Sequence, residues 1–173
     1  MENLKLLREK DYKLFKSIFS VFMRDPFFEK WTNAEMLEEF KDFLAYGKMF
    51  CYDNKGLMNI VPNRKKLETL PYDMWGNFLY LSDIAVLENA RMQGIGSTMF
   101  DYLIEYGYEN EFDVIYFRTN LEKSKSAGIG LKKGFTVVTD CNNNIITEAV
   151  SFPRVREDIS ETDIRQYLVK KLK

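Results

Sequence analysis

The sequence predicts an α/β fold, and three observations predict it. Stretches with apolar residues at helical spacing alternate with short, crowded apolar runs that suit strands. A strand-turn-helix-strand succession between Phe78 and Arg118 implies parallel pairing, because such a crossover returns the chain in the same direction. A turn signal at Asp53-Asn54-Lys55-Gly56, set between two apolar runs, implies an antiparallel hairpin. At 173 residues the chain is most simply one domain, 1–173, long enough to bury roughly two-thirds of its unfolded surface.

In chain order, Leu4 to Leu7 suits an opening strand, and Arg8-Glu9-Lys10-Asp11 reads as a turn ending in an N-cap. Leu14, Phe15, Ile18, Phe19 and Phe22 then predict a helix, which Asp25-Pro26 stops. A second helix is expected from Asn33 to Ala45, capped by Thr32 or Asn33, with Met36, Leu37, Phe40 and Leu44 as its buried stripe. Lys48 to Tyr52 and Leu57 to Val61 form the hairpin, with Gly56 supplying positive φ in its turn. Residues 62–77, with Pro62 and Pro71, read as a surface loop that includes Tyr72 and Trp75.

Phe78 to Val86 is the strongest strand, followed by a helix from about Gly94 to Glu109 with Ile95, Met99, Tyr102, Leu103 and Tyr106 inward. Val114 to Arg118 predicts another strand and Ser124 to Lys133 another helix. Phe135 to Thr139 and Ile145 to Phe152 suit a closing pair around Cys141-Asn142-Asn143-Asn144. From about residue 154 a C-terminal helical extension is expected. Ser160-Glu161-Thr162-Asp163 is acidic, Lys170-Lys171-Leu172-Lys173 basic, and Ile164, Tyr167 and Leu168 supply an apolar face. It would serve for packing or as a dimer contact.

A composition of 46% hydrophobic and 29% charged residues excludes a disordered or fibrous chain. A net charge of -1 argues against a broad grip on nucleic acid or an acidic membrane. The chain contains no histidine, which removes Ser-His and Cys-His nucleophile systems and His-liganded zinc. The two cysteines, Cys51 and Cys141, are too few for a four-cysteine zinc site, so no metal is expected. Neither a signal-peptide pattern nor an apolar run of spanning length is visible, which makes a reducing cytoplasm the expected setting. Sequence leaves open whether the cysteines pair.

The most informative segment joins the strongest strand to its helix through Arg91-Met92-Gln93-Gly94-Ile95-Gly96-Ser97. Two glycines let the backbone approach a ligand closely, and a helix beginning there presents unpaired N–H groups and the positive end of its dipole. An anion should dock on it. The glycine count does not fit the dinucleotide fingerprint, and Gly96-Ser97-Thr98 lacks the lysine of a Walker A loop.

Arg91-x-x-Gly94-x-Gly96 after Ile84-Ala85-Val86, with Lys132-Lys133-Gly134-Phe135 about forty residues later, resembles the GNAT family of N-acetyltransferases over roughly residues 78–135. The resemblance implies a central mixed, mostly antiparallel sheet flanked by helices. It implies an acetyl-CoA pyrophosphate on the amides of Arg91, Met92, Gln93, Gly94, Ile95, Gly96 and Ser97. It also implies a pantetheine arm pairing like an extra strand with Ile84, Ala85 and Val86. A cofactor contact falls at Lys123, or at Asn120 by chemical match. The implied reaction is direct attack of a primary amine, on a small molecule or a peptide, on the thioester. Monomer and homodimer are both open.

The chain departs from the family where a tyrosine often protonates the departing thiolate: Gly130 stands there. General acid assistance contributes about 10²- to 10⁴-fold, whereas positioning contributes effective molarities of order 10⁵ M, so its loss slows catalysis without abolishing it. An amine with a pKa of about 10.4 is mostly protonated near neutral pH, a penalty of about 4 kcal/mol that a base or desolvation must offset. Tyr80, Ser82 and Asp83 on the strongest strand are the candidates, with a carboxylate or water relay as the expected base. Two non-catalytic readings stand beside this one. One is an acyl-CoA binder that has lost its acid; the other is an interaction module using Tyr72, Trp75 and the C-terminal helix.

Overall fold

A computed structural model describes residues 3–21, 31–62, 76–150 and 163–173. Phe22, Asp25, Pro26, Tyr72, Trp75, Phe152 and Ser160 lie outside the described residues. The chain runs β1 (Leu4–Leu6), α1 (Tyr12–Phe19), α2 (Asn33–Tyr46), β2 (Lys48–Tyr52), β3 (Gly56–Pro62), β4 (Phe78–Val86) and α3 (Ile95–Glu109). Then follow β5 (Val114–Thr119), α4 (Lys125–Lys132), β6 (Thr136–Val137), β7 (Thr147–Val150) and β8 (Asp163–Lys171). The eight strands form one mixed sheet in the order β1-β2-β3-β4-β5-β8-β6, with β7 paired to β8. The described residues divide into two compact units, Met1–Val61 with Ser82–Met99, and Pro62–Leu81 with Phe100–Lys173.

In the first unit β1, β2 and β3 are antiparallel, with Leu4 opposite Tyr52 and Phe50 opposite Met58. Their apolar face is covered by α1 and α2 through Phe15, Ile18, Phe19, Met36 and Phe40, which cluster with Met49, Cys51 and Leu57. Phe15 has its ring 4.8 Å from both Phe19 and Phe40. Thr32 caps α2: its hydroxyl accepts from the Glu35 N–H, and the Glu35 carboxylate accepts from the Thr32 N–H. Leu37, expected in the buried stripe, is exposed. Asp11 precedes α1 as expected but does not cap it with its side chain. Its carboxylate accepts from Lys5 Nζ at 2.6 Å and from the Arg8 N–H at 3.0 Å. Lys5, then the Arg8 amide, hold it below the ordinary carboxylate value.

The β2-β3 turn corrects one expectation. Positive φ falls on Asp53 (46°) and Asn54 (52°), and the Lys55 N–H donates to the Tyr52 carbonyl at 2.8 Å, a hairpin turn of the type that matches strand twist. Asp and Asn tolerate that backbone region, so the turn does not need its glycine. Gly56 is required for space: a Cβ there would stand 2.9 Å from Ile95 Cγ2 and 3.0 Å from Met99 Cε.

In the second unit β4 and β5 run parallel from Phe78 opposite Val114 to Leu81 opposite Phe117. That ladder ends at Leu81, and β4 continues to Val86. Antiparallel to β5 lies β8, with Val114 opposite Lys171 and Thr119 opposite Gln166. The expected C-terminal helix is therefore corrected: residues 163–171 are a strand. Tyr167, Leu168 and Val169 are buried in succession, which a strand covered on both faces allows, and β5 requires a partner for its second edge. The acidic start and basic end matched a helix dipole, but sheet pairing overrides that local signal. The expected closing pair is corrected likewise. β6 and β7 both pair with β8, and their own connection is reduced to a bridge between Thr139 and Ile145 and an Ile146 N–H bond to the Val138 carbonyl.

The remaining elements match expectation closely. β4 has the expected bounds, and Met99, Leu103 and Tyr106 of α3 are buried, with Tyr102 half-buried. Ser124 caps α4, accepting from the Ser126 N–H. Cys51 is a buried free thiol and Cys141 an exposed one, so the open pairing question closes. Burial pushes the Cys51 thiol up.

Candidate functional site

The connection from β4 to α3 has the geometry its glycines suggested. After Val86 the chain makes a short 3₁₀ turn at Glu88–Ala90, then passes through Met92 at φ 62° and Gly94 at φ 80°. Space is ample at Gly94, where an added Cβ would meet nothing within 4 Å, so the left-handed backbone itself calls for glycine. The helix begins at once: both the N–H and the hydroxyl of Thr98 donate to the Gly94 carbonyl, at 2.9 and 3.2 Å. By helix geometry the N–H groups of Ile95, Gly96 and Ser97 precede that first intrahelical bond and point out of the helix end. Arg91 and Gln93 fold back on the preceding turn, with Arg91 Nε donating to the Val86 carbonyl (3.3 Å) and Gln93 Nε2 to that of Asn89 (3.2 Å). Arg91 keeps its four other N–H donors. Of the expected cofactor residues, this segment gathers Ile84, Ala85 and Val86 at the end of β4 and Arg91, Met92, Gln93, Gly94, Ile95, Gly96 and Ser97 on the turn.

This donor set fits a pyrophosphate: successive amides, a positive dipole end and one guanidinium, with no described carboxylate on the turn itself from residue 91 to 97. Met92 is almost fully exposed and in the left-handed region, a conformation that aims neighbouring amides toward one point.

Asn120 and Lys123, in the second unit, are brought together in the loop after β5. The Asn120 side-chain oxygen accepts from the N–H groups of Glu122 and Lys123, each at 3.0 Å. That turn commits the amide oxygen and leaves the amide nitrogen as the group a ligand would meet. Lys123 is exposed.

The three candidates for chemistry lie on β4 in different surroundings. Ser82 and Asp83 are half-buried, whereas Tyr80 is only 3% exposed. Its ring lies 4.8 Å from that of its register partner Tyr116 and 5.6 Å from the guanidinium carbon of Arg118. Arg118 Nε donates to the Tyr80 hydroxyl at 3.1 Å, and a terminal guanidinium nitrogen donates to Glu148 Oε2 at 2.8 Å. The Tyr167 hydroxyl donates to the same oxygen at 2.6 Å. Strand register explains the gathering: Tyr80 pairs with Tyr116, Arg118 lies two residues on and pairs with Tyr167, and Glu148 pairs with Arg165 two residues before Tyr167. One row of polar side chains therefore crosses β4, β5, β8 and β7 on one sheet face.

Burial opposes the Arg118 charge, but Tyr80 and Glu148 outweigh it and hold the guanidinium above its ordinary value. Burial also pushes Glu148 up, and Tyr167 and Arg118 together bring it below the ordinary carboxylate value. Sequence reasoning missed Arg118, Glu148 and Tyr167. Only strand register joins them, and the strand that carries Tyr167 reads locally as a helix.

Gly130 belongs to the opposite face. Phe117 projects there between Phe100 and Phe135, with ring centroids at 5.4 and 5.3 Å, and a Cβ on Gly130 would stand 2.6 Å from Phe117 Cζ. Any side chain at this position, a tyrosine above all, would have to displace the Phe117 ring.

Known proteins share the family and the fold of this chain. The Acetyltransferase (GNAT) family matches residues 15–128. No curated protein sequence matches the chain. Among solved structures, a ribosomal-protein-alanine N-acetyltransferase from Brucella melitensis is similar at a TM-score of 0.67 and 17% identity, covering 98% of this chain and 99% of that one. A Bacillus subtilis acetyltransferase in complex with CoA gives 0.64 and 14% with 99% of both chains covered, and a NatC complex bound to Gag peptide and CoA gives 0.65 and 14% with 98% of both. These likenesses show the fold. The matched family spans most of the chain and includes β4, the Arg91-to-Gly96 turn and α3, and the chain belongs to the GNAT acetyltransferase family.

Proposed function

We propose that this protein is an acetyl-CoA-dependent N-acetyltransferase that transfers acetyl to a primary amine by direct attack. The observation that carries the reading is the β4-turn-α3 connection, with Gly94 at φ 80° and the helix starting one residue later. Arg91 and the amides through Ser97 would hold the pyrophosphate, and Ile84, Ala85 and Val86, beyond the end of the β4-β5 ladder, would pair with the pantetheine arm. Asn120 and Lys123 are further cofactor contacts by the family resemblance, Asn120 through its amide nitrogen and Lys123 through its charge. When bound, acetyl-CoA supplies an activated acyl carbon and a thiol leaving group.

The chain's own part is to hold the amine at the thioester, to keep it neutral and to manage the protons. Tyr80, Ser82 and Asp83 are the side chains on β4 assigned to that work. The acceptor class stays broad, a small molecule or a peptide, and supporting examples are a neighbour named for ribosomal-protein alanine and another bound to a peptide. Among the described residues no helix is long and apolar enough to cross a membrane, and no group of three or more His, Cys, Asp or Glu could hold a metal. We place the enzyme in the cytoplasm, as a monomer or homodimer.

A second reading, a non-catalytic acyl-CoA binder, is favoured by one observation: Gly130 has no room for the family's acid. Thiol release from acetyl-CoA, measured over primary amines and short peptides for wild type, Tyr80→Phe and Asp83→Asn, separates the two. Amine-dependent release that falls in at least one variant supports the enzyme. Acetyl-CoA binding without release in any condition supports the binder.

A further inference from the structure

Resting on the reading of the Arg91-to-Ser97 turn as the pyrophosphate site, we infer that Met92 is an oxidation site through which a hydroperoxide weakens cofactor binding. Met92 is 94% exposed, whereas the other described methionines, Met36, Met49, Met58 and Met99, are 5% exposed or less. A methionine sulfur is oxidised only where an oxidant can reach it, so peroxide meets Met92 before any of these. Position gives that exposure a consequence. Met92 stands between Arg91 and Gln93 at φ 62°, on the turn whose amides lead through Gly94 into α3, all within the first unit.

A thioether is a weak acceptor and leaves the N–H groups of the turn to a ligand. A sulfoxide is polar, with partial negative charge on its oxygen, and here it sits at the end of a side chain with three rotatable bonds. That oxygen competes for the N–H groups that would meet a pyrophosphate, and its charge opposes the phosphates. Arg91, which has only Nε engaged on the Val86 carbonyl, offers it further donors. The fold itself is spared, because a side chain already in solvent gives up no packing.

The step balances. A lone pair on the Met92 sulfur attacks one oxygen of hydrogen peroxide, the O–O bond breaks and an S–O bond forms. The other oxygen leaves as water with both hydrogens. Sulfur is oxidised and the peroxide reduced by one electron pair.

The test is calorimetric titration of the full chain with CoA before and after hydrogen peroxide treatment. Peroxide is removed and thiols are re-reduced with dithiothreitol before titration, so that the exposed Cys141 does not contribute. Peptide mass spectrometry follows the sulfoxide at each methionine. Met92 should convert at least about tenfold faster than Met36, Met49, Met58 and Met99. Once it has converted, CoA affinity should fall about three- to tenfold, with the unfolding temperature within about 2 °C of the untreated protein. Methionine sulfoxide reductases for both epimers should restore the affinity. Met92→Leu, compared with its own untreated sample, should lose less than about twofold to peroxide.

Conversion of Met92 no faster than that of the buried methionines overturns the inference, as does an affinity unchanged by its oxidation. So does an equal loss in Met92→Leu, which places the lesion elsewhere, or a matching fall in unfolding temperature, which makes it structural. If Met92→Leu does not fold, reversal in wild type decides: an affinity that stays lost after reductase treatment contradicts the assignment. Untreated wild type that binds no CoA overturns the turn as the pyrophosphate site and the inference with it. Each of the other results leaves that reading standing.

Discussion

Gly130 and Gly94 are both glycines for physical reasons, but the reasons are opposite. Gly130 lacks space, since a Cβ there would stand 2.6 Å from Phe117 Cζ, whereas Gly94 has open space and a left-handed backbone. Gly130→Ala should therefore destabilise by about 1–3 kcal/mol through overpacking, a fall in unfolding temperature of about 2–12 °C for a chain of this length. Gly130→Tyr should lower the unfolding temperature further and restore no thiol release. A tyrosine tolerated there with faster turnover would show that α4 can withdraw from β5. Sequence could place Gly130 at the family's acid position but not say whether the acid was lost or excluded. That depends on a ring projecting from β5, the strand before α4.

At the scale of elements, β8 and the polar row it helps build decide the behaviour of the second unit. β8 pairs with β5, β6 and β7, so a chain cut before Asp163 leaves three strands without their partner. Such a truncation should be insoluble or lose cooperative unfolding by circular dichroism, whereas a dispensable terminal helix would have left the remainder folded. Glu148 gives this unit a pH dependence with a definite sign. Its folded value lies below the ordinary 4.5, so its contribution is present above about pH 4.5 and is lost as pH falls through the lower folded value. Glu148→Gln should lower stability at neutral pH and flatten the acid limb of the unfolding curve below pH 4.5; an acid limb identical to wild type would contradict the assigned partners.

What was legible at this scale followed local signals. The bounds of β4 and the Thr32 cap of α2 are carried by residues adjacent in sequence. What was not legible is non-local. The Arg118 contacts to Tyr80 and Glu148 join residues 38 and 30 positions apart, and Tyr167 stands 19 beyond Glu148. The alternative that relied on Tyr72, Trp75 and a C-terminal helix loses the helix, which is β8.

For the molecule as a whole, the account rests on acetyl-CoA binding to the folded chain and not to the unfolded one. Acetyl-CoA at about a hundred times its dissociation constant should add about 2.7 kcal/mol, raising the unfolding temperature by about 5–11 °C. A nucleotide without the pantetheine arm, such as ADP, should raise it less, because only the turn and not the end of β4 is engaged. The most direct test of the central claim, that the Arg91-to-Ser97 turn is the pyrophosphate site, is calorimetric titration of wild type and Gly94→Asp with CoA. Gly94 has open space and aspartate tolerates φ 80° better than most residues, so the variant should fold while placing a carboxylate against the phosphates. The account predicts a CoA affinity at least about tenfold weaker, a loss of about 1.4 kcal/mol, in a variant that still unfolds cooperatively, at a temperature lower by about 2–8 °C because the left-handed backbone costs a non-glycine residue about 1–2 kcal/mol. An unchanged affinity in a folded Gly94→Asp variant would contradict it.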